Sequence, residues 1–245
     1  MKMWCLHGAM QTTSVWDPFL NKLHLSGRPV AIEKVDLHDN ISTSLAQWAQ
    51  GFCSFVRQDS FPGKPFLLGY SLGGRLAMHA YINSPHLWSG VIVVSADPGT
   101  QSKAIKENML EKDLAWSKRF QSEDLEVLLQ EWDRAPVFCQ RPNRAPRKLP
   151  DLDSSQISKL LSVYSKGRQQ NLISFLNQEG GAPVLYLSGE EDHKYSKIGE
   201  NLARCCLPLS HHIIPDAGHR VPWENSTGFI ATVNQFMEQT MALSK

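Results

Sequence analysis

Ser71 stands in a sequence setting that could make a hydroxyl group reactive. Residues 67–75 read LLGYSLGGR, in which an apolar run enters a Gly-x-Ser-x-Gly pentapeptide and a helical segment follows. This order predicts a sharp turn from a strand into a helix, with the serine oxygen raised above the end of a sheet. Gly69 and Gly73 fit such a turn because strand and helix approach too closely there for larger side chains. Ser71 is therefore the first candidate for a catalytic group.

A serine hydroxyl is a poor nucleophile and a poor base near neutral pH, so it needs an imidazole beside it and a carboxylate to orient that imidazole. Asp192 follows an apolar run at 183–188, and His219 follows the next apolar run at 211–214. The chain order serine, aspartate, histidine is the one expected when a strand-turn-helix motif carries the serine. Because functional groups collect beyond the carboxyl ends of parallel strands, we predict that Ser71, His219 and Asp192 form a catalytic triad.

Several other side chains compete for the acid and base positions. Glu190 and Glu191 directly precede the chosen acid and remain alternatives to it. Asp97 also follows an apolar run, but its Asp-Pro-Gly sequence favours a turn. His211 and His212 lie at the start of a predicted strand, at the opposite edge of the sheet, and are interpreted as structural. The remaining nearby candidates, which are less well placed, are His193 and Asp216.

A negative oxygen that develops during the reaction needs two backbone N–H donors. One should be the amide of Leu72, directly after the serine. The second should come from the loop after the first strand, where Gly8 permits a tight turn and Ala9 offers its amide. His7 in the same loop is interpreted as a hydrogen-bonded packing residue without a catalytic role.

Short apolar runs alternate with longer segments of helical periodicity, which is the pattern of a mostly parallel sheet covered by helices on both faces. The runs predicted as strands are 2–6, 30–35, 65–69, 91–95, 183–188 and 211–214. The first long helix has an apolar face made by Leu45, Trp48, Ala49, Phe52 and Val56. Ser42 could cap this helix, and 76–81 and 229–237 are predicted to be helical as well.

Residues 97–181 interrupt this alternation, since they contain helical patterns but no convincing strand. Two helical faces stand out there: Leu125, Leu128, Leu129 and Trp132 form one, and Ile157, Leu160, Leu161 and Tyr164 form the other. Between them, 135–150 is rich in proline and basic residues and is predicted to be a loop, either a solvated connector or a substrate-facing segment. The sequence thus predicts a core formed by 1–96 and 182–245, with 97–181 inserted as a helical cap.

Composition excludes several classes of protein. Of the 245 residues, 42% are hydrophobic and 20% are charged, which is ordinary for a folded globular chain. The net charge of +1 gives no general field for a nucleic acid or an acidic membrane surface. The five cysteines show no paired C-x-x-C spacing, so neither a metal site nor a disulfide framework is predicted. The apolar start is too short for a signal peptide, and we expect a cytoplasmic monomer or weak oligomer with no membrane partner.

With these motifs placed, the chain resembles a family of α/β-hydrolase-fold enzymes of menaquinone and phylloquinone biosynthesis, the 2-succinyl-6-hydroxy-2,4-cyclohexadiene-1-carboxylate synthases (MenH). The segments that carry the resemblance are 69–75, 116–120, 132–138, 189–195, 214–219 and 224–225. The elbow around Ser71 and the loop around His219 are shared by the whole fold. Tyr70, Arg75 and the segments in the cap are the more specific part.

The resemblance implies a lyase that needs no cofactor. Pyruvate would be eliminated from a succinyl-enolpyruvyl-hydroxycyclohexene carboxylate, with the triad serine acting as base. Such a substrate is a small anion with several carboxylates, and arginine is the natural recogniser of carboxylates. The family's substrate-binding positions correspond to Tyr70, Arg75, Arg119 and Trp132. From the residues alone, Arg75 could instead point to solvent and Trp132 could instead be a core aromatic.

The chain departs from the family in three places. Residues 36–40 lack the glycines that this fold often carries after its second core strand, and the chain starts directly on the strand before His7 without a leading hairpin. A further substrate arginine of the family appears as Tyr164, with Lys166 or Arg168 near enough to replace it.

Two other functions remain open at this point. A carboxylester or thioester hydrolase would use the same triad, with an acyl intermediate on the serine. A ligand receptor on this fold would use the pocket only for binding, although such receptors usually lack a member of the triad.

Overall fold

The computed structural model describes residues 1–39, 41–206 and 209–243, so Asn40 of the 36–40 segment lies outside the described residues. The strands are β1 (Lys2–Leu6), β2 (His24–Leu25), β3 (Arg28–Pro29), β4 (Ala31–Val35), β5 (Phe66–Tyr70), β6 (Gly90–Val94), β7 (Val184–Gly189) and β8 (Leu209–Ile214). The helices are α1 (Leu45–Arg57), α2 (Leu72–Asn83), α3 (Lys103–Phe120), α4 (Leu125–Asp133), α5 (Ser154–Val163), α6 (Ile173–Leu176), α7 (His193–Cys205), α8 (Val221–Glu224) and α9 (Ser226–Leu243). A longer 3-10 segment occupies Thr13–Phe19.

In the described part of the chain, six strands form one parallel sheet in the order β4-β1-β5-β6-β7-β8. The predicted mostly parallel sheet is therefore confirmed, and the observed strand ends lie within one or two residues of the predicted ones. A short antiparallel pair, β2 with β3, was not predicted from the sequence. The carboxyl ends of β5, β7 and β8 lie at the same edge of the sheet, where the loops that follow them converge.

The sheet is buried on both faces because alternate residues of its strands point to opposite sides. Leu67 and Val91 belong to an apolar cluster that includes residues of α1 and α2. Leu68 and Ile92 belong to a second cluster, which includes residues of Thr13–Phe19 and α9. Helices therefore cover the sheet on both sides, as the runs of buried apolar residues predict.

The N-terminus of α1 differs from the prediction. Ser44 caps the helix, since its hydroxyl accepts the Gln47 N–H at 3.2 Å. Ser42 lies before the cap, and its own N–H donates to the Tyr164 hydroxyl at 2.8 Å. The capping prediction for Ser42 was therefore wrong by two residues, because the helix begins at Leu45 and only the residue directly before it can cap it.

Within 97–181, the described elements are helices and 3-10 turns. Asp124 and Asp153 cap α4 and α5 through their carboxylates, each of which accepts two backbone N–H groups of the first turn. Side chains of α3, α4 and α5 form an apolar cluster with Leu152 and with Met10 of the loop after β1. The buried members of this cluster are Met10, Phe120, Leu128, Leu129, Leu152, Ile157 and Leu161. The longest of these helices, α3, is one for which the sequence offered no clear apolar face, because few of its side chains are buried.

Among residues 1–39, 41–206 and 209–243, no helix combines the length and the apolar character needed to cross a bilayer.

Candidate active site

The turn at Ser71 is strained in the way the sequence predicts. Ser71 has φ 52° and ψ −107°, between β5 and α2, and its N–H donates to the Val94 carbonyl at 2.9 Å. A Cβ at Gly69 would lie 2.2 Å from the Gly73 carbonyl oxygen, and a Cβ at Gly73 would lie 2.2 Å from the Leu6 carbonyl oxygen. No real Cβ tolerates such distances, so both positions require glycine. The close approach of strand and helix holds the serine at the end of the sheet.

Ser71, His219 and Asp192 meet at this end of the sheet. His219 Nδ1 lies 2.7 Å from Asp192 Oδ2, and His219 Nε2 lies 3.5 Å from the Ser71 Oγ. Because the carboxylate can only accept, Nδ1 carries the proton and Nε2 is left as an acceptor facing the serine. The contact of 3.5 Å is long for a hydrogen bond, as is common for catalytic groups without substrate. The structure thus brings together all three predicted residues.

The imidazole is enclosed. His219 and Asp192 are each 3% exposed, and the Tyr195 ring centroid lies 4.7 Å from that of His219. The ring of Tyr70 lies 5.6 Å away and that of Phe138 lies 5.7 Å away, so aromatic groups pack around the imidazole. Burial lowers the pKa of His219 below its usual value, although the hydrogen bond to Asp192 opposes this. The neutral form, which can accept a proton, is therefore favoured near neutral pH.

The alternative acids are placed differently. Glu190 and Glu191 are exposed at the surface, where Glu190 accepts the Asp216 N–H at 3.2 Å and Glu191 pairs with Arg141. Of the carboxylates at 190, 191 and 192, the turn after β7 directs only that of Asp192 towards the imidazole of His219. His211, which was interpreted as structural, lies within hydrogen-bond distance of the Ser188 hydroxyl, at 2.8 Å.

One predicted oxyanion donor directly follows the serine in the chain, and the other belongs to a residue that lines the same cavity as the serine. Leu72 is the first residue of α2, so its N–H has no acceptor within the helix. In the loop after β1, the Gly8 N–H donates to the Gln11 side chain at 2.8 Å, and Ala9 follows in the wall of the cavity. His7 braces this loop, since its Nε2 accepts the Leu37 N–H at 3.0 Å and its Nδ1 lies 2.8 Å from the Gly8 carbonyl oxygen.

A cavity of about 70 Å³ opens beside the serine. Its wall combines residues of the loop after β1, of the elbow, of the histidine loop and of the 97–181 segment: Gly8, Ala9, Met10, Gln11, Tyr70, Ser71, Trp132, Val137, Phe138, Arg147, Lys166, His219 and Arg220. This volume is smaller than the roughly 300–1,000 Å³ of typical pockets for small organic ligands.

Comparisons with known proteins agree with this arrangement. Residues 26–226 match a family model described as the alpha/beta hydrolase fold. The chain is 34% identical over 239 residues to the 2-succinyl-6-hydroxy-2,4-cyclohexadiene-1-carboxylate synthase of Photorhabdus laumondii, covering 95% of this chain and 84% of that enzyme. The chain belongs to the MenH family of α/β-hydrolase-fold enzymes. An Escherichia coli O1:K1 / APEC enzyme with the same name as the Photorhabdus enzyme is 34% identical over 176 residues, covering 70% of this chain and 68% of its own length.

The fold is also that of a solved structure of MenH from S. aureus. The two structures superpose with a TM-score of 0.86 at 22% sequence identity, over 98% of this chain and 94% of the other. A match at 22% identity shows a shared fold alone. This shared fold agrees with the sheet and helices described above.

Two of the four predicted substrate residues lie in the cavity wall of this MenH-family chain. Tyr70 is 4% exposed and packs edge-on against Trp223, at 4.9 Å between ring centroids. Trp132 at the end of α4 also lines the cavity, and its ring lies 5.2 Å from that of Trp116. Trp132 therefore packs against a second aromatic ring and contacts the cavity at the same time.

Arg75 is not at the cavity wall that the described residues form. Its side chain is buried, at 6% exposure, and its Nη1 donates to the Gln169 Oε1 at 3.1 Å. Gln169 in turn donates to the Asp97 carbonyl at 2.8 Å. The alternative in which Arg75 points to solvent is wrong, because α2 is the central helix and packs nearly all of its residues inside. Its side chain links α2 to the end of the 97–181 segment.

The prediction that Arg119 binds substrate is not supported by its position. Its guanidinium donates to Glu123 at 2.8 Å and to Glu131 at 2.6 Å, on the outer side of α3 and α4. It also lies 4.8 Å from the Trp116 ring centroid. Two carboxylates already occupy its donors, because the residue four positions later and the facing helix both present glutamates.

Three other cationic residues line the cavity instead: Arg147, Lys166 and Arg220. Lys166 was one of the two replacements predicted for the family's later cap arginine, and its Nζ donates to the Tyr195 hydroxyl at 3.3 Å. Arg168, the other, donates to the Ser162 carbonyl at an exposed position. Arg147 lies in the basic 135–150 loop, so that loop faces the cavity. Arg220 was missed, although it directly follows the predicted catalytic histidine.

The histidine loop is held by a buried carboxylate. Glu224, whose side chain is 2% exposed, accepts the Gly218 N–H at 2.5 Å and pairs with Arg141 Nε at 3.0 Å. Arg141 Nη2 donates to the Asp216 carbonyl at 2.8 Å. The 135–150 loop is thereby fixed to the residues directly before His219.

Within residues 1–39, 41–206 and 209–243, no group of three or more His, Cys, Asp or Glu side chains is arranged to hold a metal ion.

Proposed function

We propose that this MenH-family enzyme is a carbon-oxygen lyase that eliminates pyruvate from 2-succinyl-5-enolpyruvyl-6-hydroxy-3-cyclohexene-1-carboxylate. The product is 2-succinyl-6-hydroxy-2,4-cyclohexadiene-1-carboxylate, an intermediate of menaquinone or phylloquinone biosynthesis. The observation that carries the proposal is the 34% identity, over 95% of the chain, to a relative named as the synthase of this product. The grouping of Ser71, His219 and Asp192 beside a cavity with cationic walls supports it.

The two compounds define the bond changes. The substrate has its ring double bond between C3 and C4, and the product has double bonds between C2 and C3 and between C4 and C5. The proton on C2 is therefore lost, the double bond moves, and the bond from C5 to the enolpyruvyl oxygen breaks. The C2 proton is adjacent to the ketone of the succinyl chain, so its loss gives an enolate that the ketone oxygen stabilises.

Ser71 acts as the base that removes the C2 proton, and His219 receives the hydroxyl proton of Ser71. The Nε2 of His219 is the free acceptor, because Nδ1 donates to Asp192 at 2.7 Å. When the serine takes the C2 proton, its hydroxyl proton passes to Nε2, and the imidazolium so formed is stabilised by the carboxylate. The proton held on His219 then serves the departing enolpyruvate, which becomes pyruvate.

The enolate oxygen needs donors that are fixed before the reaction. The amides of Leu72 and Ala9 take this role in the proposal, one at the start of α2 and one in the loop braced by His7. Positive charge at the N-terminus of α2 adds to the stabilisation of a negative oxygen.

The division into a core (1–96 and 182–245) and a helical cap (97–181) belongs to the same proposal. Both parts contribute to the cavity wall, the core through Ser71 and His219 and the cap through Trp132 and Phe138. A cap that covers the reacting groups would exclude water from the enolate.

The direct test is pyruvate release from the enolpyruvyl substrate, compared with cleavage of p-nitrophenyl esters by the same preparation. A lyase releases pyruvate rapidly and cleaves the esters slowly. Fast ester cleavage together with stoichiometric labelling of Ser71 by a fluorophosphonate, and no pyruvate, would establish the hydrolase alternative.

A further inference from the structure

Arg147 and Arg220 share a single carboxylate at the cavity wall. Arg147 donates through both terminal nitrogens to Asp133, at 2.8 and 3.1 Å. Arg220 Nη2 donates to the same carboxylate at 2.5 Å. Glu224, the other carboxylate that acts electrostatically on Arg220, already pairs with Arg141 and Gly218. Two guanidiniums therefore share the carboxylate of one aspartate.

The two guanidiniums also carry unused donors. Arg220 is 2% exposed, its guanidinium stacks 3.5 Å from the Phe138 ring centroid, and its Nη1 is buried without a hydrogen-bond partner among the described residues. The Nε of Arg147 is likewise buried and unpaired there. A buried cationic donor without an acceptor is costly, and a ligand that supplies an anionic acceptor relieves this cost. Both side chains line the cavity that contains Ser71.

The surroundings make these donors rigid. Asp133 is the last residue of α4 and directly follows Trp132, which lines the same cavity. Phe138 holds the Arg220 guanidinium from its face, so the planar group cannot rotate freely. Fixed and planar guanidiniums suit a carboxylate, because both can form paired hydrogen bonds.

We infer that Arg147 and Arg220, held in place by Asp133, form a subsite that binds one carboxylate of the substrate. The inference rests on the proposed function, since that function supplies a substrate with several carboxylates. The subsite differs from the arginines that the family resemblance indicated, because Arg119 is occupied on the outer surface and Arg75 is buried against Gln169.

The test is calorimetric binding of 2-succinylbenzoate, a stable aromatic dicarboxylate that retains both carboxylates of the proposed product. In Arg147→Gln, the dissociation constant should rise on the order of 10- to 100-fold, the range for a lost charged hydrogen bond. Arg147→Lys keeps the charge but loses the paired hydrogen bonds, so its dissociation constant should lie between those of Arg147→Gln and the wild type. The matched control is Arg144→Gln, which removes an exposed cation of the same loop and should leave the constant unchanged.

Binding of the dimethyl ester of the probe should not respond to Arg147→Gln, because the ester lacks the charge that the subsite recognises. Thermal melting of each variant shows whether it is folded, and Arg147→Lys remains informative if Arg147→Gln is not. The subsite would be overturned if folded Arg147→Gln or Arg147→Lys bound the dicarboxylate as tightly as the wild type does. It would also be overturned if the wild type did not bind the dicarboxylate. If the wild type binds the probe through Arg147 but releases no pyruvate from the enolpyruvyl substrate, the subsite stands and the proposed lyase function fails.

Discussion

Replacing Asp192 by asparagine tests the assignment of the acid with little change in shape. The asparagine amide can still cap α7, because asparagine is as good as aspartate at that position. In the wild type, His219 Nδ1 lies 2.7 Å from a carboxylate oxygen of Asp192. The substitution replaces this partner by an amide. An amide nitrogen at that place would donate to Nδ1 and leave the proton on Nε2, facing the serine. The imidazole could then no longer accept the Ser71 proton.

The size of the effect follows from the geometry. Two unit charges about 4 Å apart attract by about 4 kcal/mol at an effective dielectric constant of about 20, a value that suits partly buried sites. Loss of that attraction in the transition state corresponds to about a 1,000-fold slower reaction. The unfavourable tautomer adds to this, and the same substitution lowers kcat about 10,000-fold in serine proteases. We expect kcat to decrease by a factor of between about 1,000 and about 10,000. KM should change little, since Asp192 is not among the residues that line the cavity.

The assay is pyruvate release, coupled to lactate dehydrogenase, with purified Asp192→Asn and the wild type. Glu190→Gln is the matched control, because it removes an exposed carboxylate two residues away and should change kcat by less than about 2-fold. The reasoning is refuted if Asp192→Asn keeps wild-type activity, or if Glu190→Gln or Glu191→Gln loses activity instead.

Three further predictions use other parts of the structure. Activity should decrease as pH falls through the pKa of His219, and the midpoint should lie below 6.5 because burial lowers that pKa; a midpoint above 6.5 in the pH profile of kcat/KM would contradict this. Gly73→Ala should destabilise the protein by about 1–3 kcal/mol or more, because the new Cβ would lie 2.2 Å from the Leu6 carbonyl, whereas Gly51→Ala in open space on α1 should stabilise it slightly, as urea denaturation would show. Arg119→Ala should leave KM within about 2-fold of the wild type, since the contacts of Arg119 are with two exposed glutamates and the Trp116 ring; a KM increase of tenfold would return it to the substrate site.

The sequence was sufficient for the sheet and for the grouping of Ser71, His219 and Asp192. Strand positions follow from short apolar runs, and parallel pairing places their carboxyl ends at one edge. The elbow is local, because the glycines at 69 and 73 are required by backbone contacts within one turn. The sequence leaves open which carboxylate of residues 190–192 faces the imidazole, since this depends on the rotation of the single turn after β7.

The substrate side of the cavity could not be predicted in the same way. The direction of an arginine depends on which partners the tertiary structure brings near it, and Arg119 meets two glutamates, one of them on a neighbouring helix. Arg147 and Arg220 are far apart in the chain and meet only because Asp133 lies between them. The helix α3 escaped prediction because most of its surface is exposed and its apolar residues form no clear stripe.

Pyruvate release by Ser71→Ala tests the central claim most directly. The Ser71 hydroxyl is the group that removes the C2 proton in this account, and its replacement leaves His219, Asp192 and the cavity in place. The predicted result is a folded variant with wild-type melting behaviour that keeps only the small residual rate supplied by substrate binding and the oxyanion donors. A folded variant that releases pyruvate at the wild-type rate would show that another group takes the proton.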